Sequence, residues 1–243
     1  MITAASNSRI KRLVQLNQKS KLRRTEDVFL AEGVKMFLEA PREQLQEVYV
    51  SESFLEKCSC REHLEEVGYE VVSDSVFSKI SDTCTPQGVL CVLKQFHYNI
   101  EEMLRDKAPL FLLLENIQDP GNLGTMLRTG EGAGVSGIIM SRDTVDLYNP
   151  KVIRSTMGSI YRVPFYYADD FAAAVHQVQR AGVSVYAAHL RGKNSYACQD
   201  YTKGTAFLIG NEGNGLREET AELADCYIRI PMEGKVESLN AAV

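Results

Sequence analysis

The rhythm of apolar runs from residue 110 onward restricts this chain more than any other feature. "LFLLLE" (110–115), "GVSGIIM" (134–140), "VPFYYA" (163–168), "VSVYAAHL" (183–190), "GTAFLIG" (204–210) and "CYIRIPM" (226–232) are short, nearly continuous and rich in aliphatic and aromatic residues. Between them lie segments with helical spacing: one from about Asn122, then "NPKVIRSTMGSI", "DFAAAVHQVQRAG" and "LREETAELA". Strands buried on both faces read as unbroken apolar runs, and strand–helix alternation builds a parallel sheet covered by helices. In such sheets ligands collect beyond the carboxyl ends of the strands. The Gly- and Asn-rich stretches fall there: "NIQDPGNLG" after the first run, "NEGNG" after the fifth and "EGKVESLN" after the sixth.

The front of the chain has a different texture. "DVFLAEGVKMFLEA" reads as a strand entering a helix, "LQEVYVSES" as a strand, and "REHLEEVGYEVVSD" as a helix stopped at Gly68 before another strand. "VFSKISDT" follows as a helix and "GVLCVLKQF" as a closing strand. Residues 1–95 thus form a small α/β domain, 96–108 a polar, charged linker, and 109–243 a second domain. A chain of 243 residues with 44% hydrophobic content can bury two such cores. No apolar run approaches the roughly 18 residues of a membrane span. The N-terminal "MITAASNSRIKRLVQLNQ" has no signal-peptide core, so no membrane association or export is expected. Cys58, Cys60, Cys84, Cys91, Cys198 and Cys226 include no CxxC pair, and His176 and His189 lie near no cysteine cluster. Reduced thiols, a cytoplasmic location and no metal are the expectation.

A net charge of -5 argues against a protein that coats nucleic acid indiscriminately, but the charge is unevenly spread. Arg9, Lys11, Arg12, Lys19, Lys21, Arg23 and Arg24 precede the first acid, Glu26. On a helix Ile10, Leu13, Val14 and Leu16 face inward and Arg9, Lys11, Arg12 and Lys19 face water. Two readings stay open: a solvated helix face followed by a polar loop, or an RNA-binding arm that contacts phosphates.

Gly132, Gly134 and Gly137 form a GxGxxG, but it follows a helix and precedes a strand, the reverse of a dinucleotide fingerprint. It reads as a helix stop, which argues against a nicotinamide dehydrogenase. In the first loop Asp119-Pro120-Gly121 makes a turn, Asn122 is placed to cap the helix, and Leu123, Met126 and Leu127 form its apolar stripe. Arg128 then either pairs in a salt bridge or serves a ligand. Gly210, Gly213 and Gly215 let the backbone approach a ligand, and Glu212 is the one charge in that loop. Ser238 stands where a last helix begins, as a cap or as a functional group.

Taken together, NxxDPGNxGxxxR over Asn116–Arg128, GNEGNG over Gly210–Gly215, and IPM followed by ESLN resemble the SpoU family of RNA ribose 2′-O-methyltransferases, of the SPOUT class. "SNSRIKRLVQL", "FLAEGVKMFLEA" and "TPQGVL" are similar to that family's substrate-binding domain, which has a ribosomal-protein-like RNA-binding fold. The resemblance implies an α/β fold with a SPOUT-type parallel sheet and a C-terminal trefoil knot, assembled as a homodimer. It implies S-adenosylmethionine held in the knot by Gly210, Ile230 and Leu239, with Asn211, Met232 and Ala188 beside them. It matches Asn122, Arg128, Glu212, Ser238 and Asn240 to the family's catalytic set. With an RNA-binding front domain, ribosomal RNA is the first expected substrate and transfer RNA the second. The family continues through a helix after the SLN motif, which this sequence, ending at Val243, is expected to carry only in part.

The chemistry suits those residues. A sulfonium methyl is already electrophilic, so an enzyme must place a ribose hydroxyl in line and help remove its proton. In the family the arginine is assigned as the base, although a guanidinium hardly deprotonates. Arg128 therefore has two open roles: a base tuned by its surroundings, or a cation steadying the nascent alkoxide beside a phosphate. Asn122 and Glu212 would orient it, and Ser238 and Asn240 would shape the pocket. The rival from another class is a noncatalytic RNA-binding protein on the same fold; the presence of all five catalytic residue types speaks against it.

Overall fold

The computed structural model describes residues 1–235 and 239–243. The chain forms two compact units, one of Met1–Phe96 with Asp146–Tyr161, the other of His97–Val145 with Arg162–Val243.

The first unit holds strands β1 (Val28–Glu32), β2 (Leu45–Ser51), β3 (Glu70–Val72) and β4 (Val89–Lys94) in the order β1–β4–β2–β3. β4 runs antiparallel to both neighbours, and β2 and β3 are parallel. Asn7 caps the helix Ser8–Gln18 by accepting the amide of Arg9 at 2.9 Å. Ile10, Leu13 and Leu16, three residues apart, are buried with Tyr49, Phe77, Ile80 and Leu90, while Val14 packs at the margin. The helix Pro150–Thr156, capped by Asn149, lies against β1 within this unit, although its sequence falls among the elements of the other. Tyr148 explains part of that attachment. Its ring lies 4.9 Å from that of Phe29, and its hydroxyl accepts from the Phe96 amide (2.7 Å) and donates to the Phe96 carbonyl (3.0 Å).

The basic stretch divides into two classes. Arg23, grouped by sequence with the RNA-contacting arm, is 3% exposed and does not belong to a solvent-facing surface. It ion-pairs with Asp146 at 2.5 Å and donates to the carbonyls of Leu16 (2.7 Å) and Asn17 (3.2 Å). Those carbonyls end the first helix, where the dipole favours a cation and the last turn lacks donors. Arg9 pairs with Glu70, and Arg12 with Glu26 and Glu47, each at 2.7 Å. Lys11, Lys19, Lys21 and Arg24 are exposed.

The second unit holds β5 (Leu110–Leu114), β6 (Gly137–Ser141), β7 (Phe165–Ala168), β8 (Ser184–Ala188), β9 (Asn194–Ser195), β10 (Thr205–Ile209) and β11 (Cys226–Arg229). They form one parallel sheet in the order β7–β6–β5–β10–β8–β11–β9. β9, only two residues long, carries no periodicity to read. Phe111, Leu113, Ile139, Val185, Ala187, Ala206 and Leu208 build one side of the core with Val175 and Val178 of the helix Phe171–Arg180. The stretch read as a linker contains the helix Ile100–Met103, whose Ile100 and Met103 are buried in that core. Met103 fills the space over Gly137: a Cβ there would lie 2.1 Å from its methyl carbon. The helix Pro120–Ala133 stops at Gly134 in the left-handed region (φ 73°), as the displaced glycine pattern suggested. The helix expected across Leu216–Ala224 is a single turn, Glu218–Ala221.

Strand order positions the site. From β5 the chain steps outward through β6 and β7, then returns so that β10 inserts between β5 and β8. The direction of winding reverses at β5 and β10, and the carboxyl ends of these two strands open side by side. Among the described residues no helix is long and apolar enough to cross a membrane.

Candidate active site

Two loops meet at that reversal. The first leaves β5 through Asn116, whose φ of 54° turns the chain and whose amide donates to the Ser141 hydroxyl at 2.8 Å. The helix that follows is capped by Asp119, which accepts the Asn122 amide at 2.8 Å, and not by Asn122 as the sequence suggested. Pro120, lacking an N–H, takes the first helical position, so the cap falls at Asp119, three residues before Asn122. Relieved of capping, the Asn122 side chain donates to Glu212 Oε1 at 3.2 Å.

The second loop closes on itself. Asn211 and Gly215 exchange backbone hydrogen bonds of 3.0 and 2.9 Å. A Cβ on Gly210 would lie 2.2 Å from the Gly215 carbonyl carbon and the Leu216 nitrogen, so only glycine fits there. The Asn211 side chain accepts from the amides of Gly213 and Asn214 (3.0 Å each) and donates to the Asn116 carbonyl at 2.8 Å. It is committed to loop shape. Glu212 Oε2 accepts the Gln118 amide at 3.1 Å, and Oε1 the Asp119 amide at 2.9 Å. Partial burial would raise its carboxyl, but the bonds from Gln118, Asp119 and Asn122 outweigh that and hold it below the usual glutamate range. Glu212 is thus a fixed anion at a helix N-terminus, built to orient neighbours and poor as a base.

The remaining expected residues are placed as follows. Arg128, on the same helix as Asn122, is exposed and has no hydrogen-bond or ion-pair partner among the described residues. Asn240 is exposed; its side-chain oxygen accepts the Ala242 amide at 2.8 Å. Ser238 lies outside the described residues. The fold therefore joins Asn122 to Glu212 directly, and neither Arg128 nor Asn240 bonds to that pair.

Gly210 follows β10, Ala188 ends β8 and Ile230 follows β11, and these three strands are neighbours in the sheet. Ala188 is exposed, as are Ile230 (48%), Met232 (36%) and Leu239 (44%). Leu190, which sequence reasoning passed over, is 75% exposed just beyond β8. The exposed Ala188, Leu190 and Ile230, at or just beyond the ends of β8 and β11, suit a ligand with a flat base and a short aliphatic segment, both of which S-adenosylmethionine has. Sequence reasoning also missed Gln118 and Asp119, which supply the amides that hold Glu212. The Asp-Pro pair before an apolar helical stripe was the available signal for the cap.

Residues 109–243 match the SpoU rRNA Methylase family, and residues 7–91 match the MRM3-like substrate binding domain. The chain is 32% identical over 245 residues to the 23S rRNA (guanosine(2553)-2'-O)-methyltransferase RlmP of Bacillus subtilis, spanning 100% of this chain and 94% of that protein. It is 31% identical over 168 residues to the 23S rRNA (guanosine-2'-O-)-methyltransferase RlmB of Neisseria meningitidis, covering 68% and 67% of the two chains. An AdoMet-bound rRNA methyltransferase from Sinorhizobium meliloti superposes with a TM-score of 0.84 at 30% identity, over 99% of this chain and 92% of that one. The SpoU methyltransferase AviRb from Streptomyces viridochromogenes, in complex with AdoMet, gives 0.87 at 25% identity over 97% and 93%.

Proposed function

This chain belongs to the SpoU rRNA methylase family, and on that premise we propose that it methylates a ribose 2′-hydroxyl of ribosomal RNA with S-adenosylmethionine as donor. One observation carries the reading. The reversal of winding at β5 and β10 brings Glu212 onto the amides of Gln118 and Asp119 and onto Asn122, next to a row of strand ends bearing Gly210, Ala188 and Ile230. S-adenosylmethionine bound along that row supplies an electrophilic methyl group on its sulfonium. Ile230, Met232 and Leu239 would cover its apolar parts, with Gly210 and Asn211 offering backbone.

The protein's own task is to hold the ribose hydroxyl in line and to stabilise it as its proton leaves. Arg128, exposed and without a partner among the described residues, suits a cation that steadies the developing alkoxide and an adjoining phosphate. Glu212 fixes Asn122 and the start of the helix that carries Arg128. On the same reading Asn240 would contribute to the pocket, as the family resemblance implies. Lys11, Lys19, Lys21 and Arg24 are exposed and make no ion pair among the described residues, which suits contact with RNA phosphates. The same reading makes the protein a cytoplasmic homodimer with a trefoil-knotted C-terminal segment; apolar side chains exposed at the strand ends support a surface that becomes covered.

The test is transfer of labelled methyl from S-adenosylmethionine to ribosomal RNA taken from cells lacking this protein, with the 2′-O-methyl position mapped. Methylation of one ribose is expected. Cofactor at about a hundredfold over its Kd should also add roughly 2.7 kcal/mol of stability, with NAD adding none. Modification of transfer RNA alone would overturn the substrate, and RNA binding without transfer to any RNA would overturn the activity.

A further inference from the structure

Glu115 ends the apolar run of β5 and has no part in the chemistry above, yet it is buried. Its Oε2 accepts the Arg217 amide at 2.8 Å, its Oε1 accepts the Thr220 hydroxyl at 2.5 Å, and the Arg217 guanidinium lies 3.6 Å away. A buried carboxylate is costly unless its acceptor sites are filled. It persists here where a backbone N–H, a hydroxyl and a cation must be received together, which no neutral side chain of that shape can do as well.

The segment it receives directly follows the loop that carries Glu212. Asn211 and Gly215 close that loop into a ring by their mutual backbone hydrogen bonds, so the ring moves as a body. Two side-chain tethers act on it, beside the bond from the Glu115 amide to the Ile209 carbonyl (2.9 Å) and the burial of Leu216 in the core. Within the ring the Asn211 side chain holds the Asn116 carbonyl, and behind it Glu115 holds the Arg217 amide. Glu212 sits between the two tethers, so losing the second loosens the end of the ring beyond it. A weaker support backs the second tether. The Arg217 guanidinium pairs with Asp143, which accepts from the Ser141 hydroxyl at 2.5 Å, and that hydroxyl in turn receives the Asn116 amide.

We propose that Glu115 is a positioning residue of this site: it anchors the tail of the Asn211–Gly215 ring so that the Glu212 carboxylate stays on the Gln118 and Asp119 amides and on Asn122. Only its kinetic consequence rests on the methyltransferase reading, so the experiment has an arm that does not.

Amide hydrogen exchange in the full chain reads the positioning directly. In Glu115→Ala the amides of Gln118, Asp119 and Arg217 should exchange about tenfold faster or more, while those of β6 keep their protection. Glu115→Gln, which can still accept from the Arg217 amide, should restore most of the protection. Thr220→Val removes a single hydrogen bond and should show the same pattern at about threefold, keeping the test open if the alanine variant does not fold. Unchanged exchange at Gln118 and Asp119 in the variants that fold overturns the proposal, whatever the activity. In single-turnover methyl transfer, Glu115→Ala should lose about tenfold, and adding it to Glu212→Gln should cost less than about threefold more, as expected of residues acting as one unit. Multiplicative losses would overturn action through Glu212. Altered exchange in a protein that transfers no methyl would leave the positioning role standing and overturn the methyltransferase reading.

Discussion

Replacing Arg23 by alanine separates what the charge pattern suggests from what the fold does with it. The side chain is 3% exposed, and its partner Asp146 is 25% exposed. Removing one member of a buried pair typically costs 3–5 kcal/mol, because the other charge is left unpaired. Here water reaches Asp146, and the Tyr148 amide still donates to its other oxygen at 3.2 Å, which places the loss near the low end. Two carbonyls at the end of the first helix, of Leu16 and Asn17, lose their side-chain donor as well. The expected cost is about 3 kcal/mol, or a fall of about 12 °C in the Tm of the first unit at about 4 °C per kcal/mol. Arg24→Ala, on the same short helix but exposed, should stay within about 0.5 kcal/mol of the parent. Urea and thermal unfolding followed by circular dichroism give both numbers. RNA binding is then measured well below either Tm at several salt concentrations, where Arg23→Ala should keep the parental salt slope. A variant as stable as the parent with a flatter slope would refute the argument and return Arg23 to the phosphate-contacting surface.

Neutralising Lys11, Lys19, Lys21 and Arg24 together should weaken RNA binding and reduce the salt slope by up to about 3.6, at roughly 0.7–0.9 per phosphate contact; an unchanged slope returns these residues to a solvated face. Glu212→Gln should cost about 1 kcal/mol at pH 7, the part-exposed carboxylate being screened by solvent. Because the folded state lowers this carboxyl, its stabilisation is present above the ordinary glutamate value of about 4.3 and fades as pH falls through the lower folded value. Acid unfolding curves of parent and variant should therefore converge below about pH 4, and a constant gap down to pH 2 would contradict the assignment. Arg128→Lys and Arg128→Ala should both fold and bind cofactor but lose about 100-fold in single-turnover transfer at saturating RNA, since lysine keeps the charge and loses the planar fork. Transfer within a few-fold of the parent would make Arg128 structural.

Much of the second unit's architecture was legible along the chain because it rests on local rules. The runs at 110–115 and 204–210 are strands because each places aliphatic side chains on both faces. Gly134 ends a helix because it alone relaxes there into the left-handed region. The three Gly- and Asn-rich loops stood out for the same reason, and two of them, after β5 and β10, meet in the fold. What the tertiary structure alone decided is which of these elements touch. Apolar runs say that a strand is covered on both faces, not by which neighbour, so the insertion of β10 beside β5 left no trace in periodicity. Glu212 finds the Gln118 amide 94 residues away, and Arg23 finds Asp146 across 123, so neither partnership has a sequence period to betray it. Seven cations in a row look alike on paper. Burial separates them: a guanidinium enclosed with a carboxylate and two helix-end carbonyls is a structural joint, while Lys11, Lys19, Lys21 and Arg24 keep their charge in water, where a phosphate can meet it.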